Sequence, residues 1–313
     1  MSDISNIEHN LSKYWDRKVS ALVNLQHIPI VEEQKERHRL YGLLLMAIVH
    51  NYWNGMKEGR KGSYPLNPSS SLGTYMDNDY LGHNIASLVV DRNGSIIDFD
   101  FNHNKIFGSS AEHAEMRVVK RIYSLTRIND TWQIGNKDSK DYQTFEDCTL
   151  YTSLESCSQC SGVMTLARVK EVVYLQPDPT QYRIGNILRN LTAGTPLSAP
   201  YPIPASIIDF NYYIKLEQAF KEFSDASPVF FIPRDGENKK TKSITSFLCT
   251  NVAYKIYSEA TAEFMNIIEN KDSLKYGNYQ PNDNVKTNNE IVCEIKDFYY
   301  YVIKSGNRGT PHT

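Results

Sequence analysis

The chain has no apolar run long enough to cross a bilayer, no large excess of charge of either sign, and no set of cysteines that pairs off. Its longest apolar stretch, residues 40–49, is about half of the ~20 residues a membrane span needs, and Arg37, His38 and Arg39 precede it. No membrane partner is expected. The first ten residues are polar and lack the basic-then-apolar pattern of a secretory signal, so a cytoplasmic protein is the expectation. A formal net charge of −2 excludes a field over the whole molecule that would draw it onto nucleic acid or an anionic surface. The five cysteines are an odd number, and two of them form a single C-x-x-C. That usage fits a reducing compartment and metal ligation better than a disulfide framework. Cys148, Cys249 and Cys293 read as buried apolar fillers. What is present is enough apolar material, 41% of 313 residues, to bury a sizeable core in one large domain or two modest ones.

Two short stretches organise the rest. His113-Ala114-Glu115 opens one apolar-periodic run and Cys157-Ser158-Gln159-Cys160 opens another. Cys160 follows Cys157 by one helical turn, so at a helix start both sulfurs share a face. Two thiolates and one imidazole are the donor set of a catalytic zinc that keeps its fourth position for water. Glu115, two residues past the histidine, stands beside the metal without binding it and is free to move protons. A closed, purely structural zinc site would need a fourth Cys or His, and only His103 is offered, which reads instead as a core histidine.

The surrounding pattern places these stretches. Residues 40–53 predict a helix covered on both faces, with residues 11–30 packing over its back. Residues 54–79, rich in Gly, Ser, Asn and Pro, predict a surface loop. Residues 85–90 and 95–101 are β-rich runs joined by Asp91-Arg92-Asn93-Gly94, a hairpin signal. Ser109 and Ser110 offer an N-cap for a helix whose stripe is Ala111, Ala114, Val118, Ile122 and Leu125, putting His113 in its first turn. Residues 126–147 read as a long loop, lid or insertion. A strand at 149–152 leads to the cysteine helix, and a strand at 169–175 follows. Strand, helix and strand in so short a span imply a right-handed parallel crossover. Two helix N-termini then meet over one sheet, where their dipoles favour thiolate over thiol.

A hairpin, H-A-E at a helix start, a strand, C-x-x-C at the next helix start and a further strand together resemble the cytidine deaminase-like superfamily of zinc-dependent nucleobase and nucleotide deaminases, whose signature is H-x-E followed by P-C-x-x-C. The matching positions are His113, Glu115, Cys157 and Cys160, with the small residue Gly162 beyond. Histidine in the first motif and parallel last strands resemble the deoxycytidylate and transfer-RNA adenosine branch. The resemblance covers about residues 35–190. It implies an α/β fold, a three-layer α/β/α sandwich with a mixed sheet, Zn2+ held by His113, Cys157 and Cys160, Glu115 as the proton shuttle, and substrate contacts at Asn102 and Ala114. One departure is Ser156 in place of the signature proline. Its hydroxyl is expected to cap the helix.

The implied chemistry is hydrolytic deamination, in which Glu115 takes a proton from water, passes it to the ring nitrogen and delivers one to the departing amino group. A cytosine-type nucleoside or nucleotide is the favoured substrate. The alternatives are a deaminase that edits cytosine or adenine in single-stranded or transfer RNA or DNA, and a non-catalytic zinc-bound scaffold. The organisation read from the chain is an N-terminal helical extension at 1–34, a deaminase domain at 35–192, a proline-rich connector at 193–206 running across the surface, and a mainly helical C-terminal region at 207–313. That last region predicts helices at 210–223, 248–267 and 291–302 and a short strand at 228–232. Lys239, Lys240, Lys242 and Tyr299, Tyr300 and Tyr301 would make it a nucleic-acid platform if they lay together. From residue 207 onward, however, 13 Lys and Arg face 14 Asp and Glu. A helical cap or a homo-oligomer interface is therefore the favoured reading over a nucleic-acid partner.

Overall fold

The computed structural model describes residues 18–53, 82–104, 107–123, 144–226, 243–270 and 274–305. The predicted loops at 54–79 and 126–147, the strand at 228–232 and the Lys239–Lys242 cluster lie wholly or almost wholly outside them. The elements are α1 (Val19–Leu22), α2 (Glu32–Asn51), β1 (Ala86–Val90), β2 (Ile96–Phe101), α3 (Ala114–Tyr123), β3 (Thr149–Thr152), α4 (Ser158–Leu166), β4 (Glu171–Tyr174), α5 (Ile184–Thr192), β5 (Tyr201–Pro204), α6 (Asn211–Ala226), α7 (Ile244–Phe247), α8 (Asn251–Glu269) and α9 (Asn288–Ser305).

The hairpin forms because Gly94 supplies a φ of +85° at the turn, while Asp91 Oδ1 accepts from the backbone N–H of Asn93 and Ser95. Its strands sit at one edge of a five-stranded mixed sheet in the order β2-β1-β3-β4-β5. β1 pairs antiparallel with β2 and β3, whereas β3, β4 and β5 run parallel. Strand alternation then sorts the apolar side chains. Val89, Ile97, Leu150 and Val172 face α3 and α4, meeting Val118, Ile122 and Met164. Leu88, Phe99, Tyr151 and Val173 face α2. Helices thus cover both faces of the sheet.

The second face carries more than one layer. α2 is buried from Leu40 to Val49 all round, which requires cover on its back as well. Among the described residues that cover comes from α8 and α9: the Trp53 ring meets Tyr254 and Tyr257 of α8 at 5.5 and 5.3 Å between centroids, while of residues 11–30 the part before Lys18 lies outside the described residues and Ile30 packs against the same core. Polar groups fix the same junction. Glu36 accepts from the backbone N–H of Lys275 and Tyr276 at 2.9 Å each, Arg37 Nε donates to Asn288 Oδ1 at 3.2 Å, and Glu294, buried beside Lys286, accepts from Ile96 N at 2.6 Å. The C-terminal helices therefore share one hydrophobic core with α2 and the sheet.

Several expectations change. Within the described part of residues 1–34 the only helix before α2 is the single turn α1, which packs on α5, and α2 begins at Glu32. The proline-rich stretch does not run across the surface: Tyr201–Pro204 is the fifth strand, preceded by the crossover helix α5. Proline is tolerated there because β5 is an edge strand whose outer N–H groups have no ladder partner to lose. Cys148 and Cys249 are buried as expected, whereas Cys293 is half-buried.

Removing residues 207–313 would strip the back of α2, so the shortened chain is expected to precipitate or to lose cooperative urea unfolding, monitored by circular dichroism. A second expectation concerns His38, whose Nδ1 lies 2.8 Å from the Tyr151 hydroxyl under α2. Burial pushes its imidazole from 6.5 down to about 4. The folded state then binds fewer protons than the unfolded chain between those values, and stability falls as pH drops from 6.5 to 4. In His38→Gln this dependence is expected to flatten by up to about 1.4 kcal/mol per pH unit, measured by urea unfolding at stepped pH.

Candidate functional site

The site is assembled at the end of the sheet where β3 and β4 finish. His113 lies one position before the first residue of α3, and its carbonyl accepts from Arg117 N at 2.9 Å. It is thus at the cap, not within the first turn. Ser109 and Ser110 are not the cap: Ser109 Oγ accepts from Ala111 N in a local turn. On the other side β3 runs straight into the segment that ends at Cys157, the N-cap residue of α4, and Cys160 follows inside the first turn.

Placement of α3 depends on a charge match missed in the sequence. Residues four apart on a helix rise ~6 Å, and residues two apart on a strand ~6.7 Å, so Arg117 and Arg121 can meet Asp100 and Asp98 in step. They do, at 3.2 Å for Arg117 to Asp100 and 2.9 Å for Arg121 to Asp98, with all four side chains buried. Arg117 also reaches Glu112 at 2.9 Å. Burial pushes the Asp100 carboxyl up while Arg117 pulls it back. The D-x-D on a predicted strand and the R-x-x-x-R on a predicted helix were the legible signal.

Among the described residues, one group could hold a metal ion: His113, Cys157 and Cys160. Cys157 Sγ is 3.4 Å and Cys160 Sγ 3.6 Å from His113 Nδ1, and the sulfurs are 3.6 Å apart. Ligand bonds of ~2.3 Å to sulfur and ~2.0–2.1 Å to nitrogen at tetrahedral angles put such atoms roughly 3.5–3.8 Å from one another. The cluster has the span of three corners of a zinc tetrahedron. Its protonation agrees: the Cys160 thiol, then His113, pull Cys157 down to about 4, while the shared contact with Cys157 and burial push Cys160 up. A divalent cation bound by these three residues would take the place of the shared protons.

Glu115 is buried one residue into α3. Burial pushes its carboxyl above the usual range, against the pull of its own backbone N–H, His113 and Ser156. Ser156 does not cap α4; its hydroxyl donates to Glu115 Oε1 at 3.0 Å. Glu115 opens onto a cavity of about 190 Å³ that also takes in His113, Cys157 and Asn102. Asn102 Oδ1 accepts from Asn104 N at 3.1 Å, which leaves its amide nitrogen to donate. Ala114 is fully buried in the core and does not line the cavity.

The sequence reading also missed the far wall. Glu155 and Asp178 line the cavity, Glu155 Oε2 accepting from Asp178 N at 3.0 Å. Burial pushes the Glu155 carboxyl up to about 7 and raises Asp178 as well. Thr180 and Gln181 follow, and Ser243, Ile244 and Thr245 from the C-terminal region close the opposite side. No Lys or Arg is among the described residues lining this space.

Arg117→Met would leave Asp100 buried and unpaired, at a cost of about 3–5 kcal/mol. Adding Asp100→Leu is expected to recover most of it in chemical denaturation. Cys157→Ala is expected to lose bound zinc in atomic absorption, and full retention would remove Cys157 from the ligand set.

Comparison with known proteins places this geometry. Residues 70–176 match the family model of the cytidine and deoxycytidylate deaminase zinc-binding region. The chain is 34% identical over 94 residues to a tRNA-specific adenosine deaminase of Bacillus subtilis (strain 168), covering 30% of this chain and 48% of that protein. It is 27% identical over 92 residues to a probable cytosine deaminase of Schizosaccharomyces pombe, covering 29% and 46%. The match therefore spans about half the length of these curated relatives. Similar solved structures include one from a study of A-to-I editing by tRNA:A34 deaminases, at 19% identity and a TM-score of 0.29 over 43% of this chain and 88% of that one. Another is a guanine deaminase from Nitrosomonas europaea, at 20% identity and a TM-score of 0.29 over 41% and 68%. The matched region, with zinc as the ion that fits its His113, Cys157 and Cys160 cluster, belongs to the cytidine deaminase-like superfamily.

Proposed function

We propose that this protein is a zinc-dependent hydrolytic deaminase acting on a small, unphosphorylated nucleobase or nucleoside, cytosine-type in preference to purine. The observation that carries the reading is the cavity: a buried carboxylate, Glu115, beside a three-ligand metal cluster, in a space of about 190 Å³ with no cation among its described lining residues. That volume is below the roughly 300–1,000 Å³ of pockets for drug-sized ligands. It admits one ring more readily than two, and its described lining residues offer a phosphate no Lys or Arg as counter-charge. These features favour the free base or nucleoside over the nucleotide within the cytosine-type class.

When bound, zinc supplies the Lewis acidity that makes water a nucleophile near neutral pH. Glu115 accepts the proton that water gives up as its oxygen adds to the amino-bearing ring carbon, and donates it to the adjacent ring nitrogen. It then takes the remaining oxygen-bound proton to the amino group, so that the C–N bond breaks and ammonia leaves. Asn102 donates its amide N–H to the base or sugar edge. Glu155 and Asp178 present acceptors to N–H groups, and a site whose polar groups must be matched discriminates strongly against rings that lack them.

The relative named as a tRNA-specific adenosine deaminase supports a second reading, a base presented within a polynucleotide. One assay separates the two. Purified protein is incubated with free bases, nucleosides, nucleotides and single-stranded RNA and DNA oligonucleotides, and mass spectrometry reads the exchange of an amino group for oxygen. Conversion of bases or nucleosides is expected. Conversion of oligonucleotides alone would overturn the small-substrate reading, and no conversion of any kind would overturn deamination. Glu115→Ala should keep its zinc while kcat falls about 10²- to 10⁴-fold.

A further inference from the structure

Serine at position 156 stands where the superfamily signature carries proline. Proline at the start of a helix fixes φ but has no hydroxyl to give. Ser156 therefore adds a donor that the signature residue lacks, and the structure shows where it goes. Its Oγ donates to Glu115 Oε1 at 3.0 Å, with Ser156 5% and Glu115 4% exposed. α4 gets no side-chain cap in exchange, since its N-cap residue Cys157 makes no capping hydrogen bond. The hydroxyl is spent on the carboxylate.

A serine hydroxyl has one proton to donate. Given to Oε1, it makes the two carboxylate oxygens inequivalent, acting together with the pull of Glu115's own backbone N–H. Glutamate has several rotatable bonds, and a charge-assisted hydrogen bond from a buried donor restricts them. The donor is itself well held. It is joined covalently to Cys157, and the backbone on either side of it is anchored by Glu155 N donating to the Gln176 carbonyl at 2.8 Å and Ser161 N to the Cys157 carbonyl at 2.9 Å. One short segment thus presents a metal ligand and, one residue earlier, the group that aims the proton shuttle.

We propose that Ser156 is a positioning residue that fixes the Glu115 carboxylate for proton transfer, a role that rests on the deaminase reading above. The test uses the full-length zinc-loaded protein and the substrate that the mass-spectrometric assay identifies. In Ser156→Ala, kcat is expected to fall about 10- to 100-fold with KM within about twofold and zinc content unchanged. Ser156→Thr, which keeps the hydroxyl, should recover most of the loss, and Ser156→Pro, which restores the signature residue without a donor, should match the alanine variant. In a Glu115→Gln background, Ser156→Ala should have no further effect, because its action runs through the carboxylate. Unchanged kcat in Ser156→Ala or Ser156→Pro overturns the proposal, as does an equal loss in the Glu115→Gln background. A wild-type protein inactive on every substrate would instead overturn the functional reading. The contact itself would then be tested by a crystal structure of the zinc-loaded Ser156→Ala variant. Spread of Glu115 over several rotamers supports positioning, and an unmoved single rotamer overturns it.

Discussion

Three ligand atoms from two separate helices have to meet within 3.4–3.6 Å of one another, and a metal tolerates only a few tenths of an ångström of error in each bond. Everything near the site serves that tolerance. Cys157 and Cys160 come on one helical turn directly after β3, so their spacing is fixed by local geometry. His113 has no such covalent tie to them. Its helix is set against the hairpin by the buried pairs Arg117–Asp100 and Arg121–Asp98, whose fit works because two strand residues and four helix residues advance by nearly the same distance. These ion pairs are costly to desolvate and strongly destabilising to break singly, which makes them better at fixing one arrangement than at adding net stability.

The same sheet end explains why the cavity carries acids and no described cation. Its floor is the metal-ligand cluster and Glu115, and its far wall joins the segment after β3 to the turn after β4, where the Glu155 side chain accepts from Asp178 N. The remaining side is supplied from far along the chain by Ser243, Ile244 and Thr245. The C-terminal helices therefore do two things at once. They bury the back of α2, which could not otherwise be apolar on every face, and they shape the space beside the candidate metal ligands. A region that reads as an appended cap is continuous with the core and with the site.

The tyrosines of the C-terminal region illustrate the difference between composition and placement. Tyr257 is fully buried and Tyr299 nearly so, the latter packed edge-on to Phe264 at 5.1 Å. Only Tyr300 of the Tyr299–Tyr301 run is exposed. Rings that would have to stand on the surface to stack on bases are instead mostly packed inside, Tyr254 and Tyr257 of α8 against Trp53 and Tyr299 of α9 against α8.

Local chemistry was legible in the residues alone. The hairpin, the two strand-to-helix steps, the His-Cys-Cys donor set and the buried α2 follow from patterns that act over a few residues: turn glycine, strand alternation, helical periodicity and ligand spacing. The edge strand at Tyr201–Pro204 was not legible, because prolines signal a connector until it is known that the outer edge is unpaired. Neither was the task of Ser156, since a serine before a helix reads as a cap unless a carboxylate from another element is seen 3.0 Å away. The walls of the cavity, Glu155 and Asp178 on one side and Ser243–Thr245 on the other, join residues that lie far apart along the chain. By itself the sequence determined which residues form the cluster that could hold a metal and which carboxylate stands two residues from its histidine, because ligand chemistry belongs to residue types at short spacing. Only the tertiary structure decided how the carboxylate is aimed and what shape and charge the substrate meets, because those depend on distances between segments that no local pattern encodes.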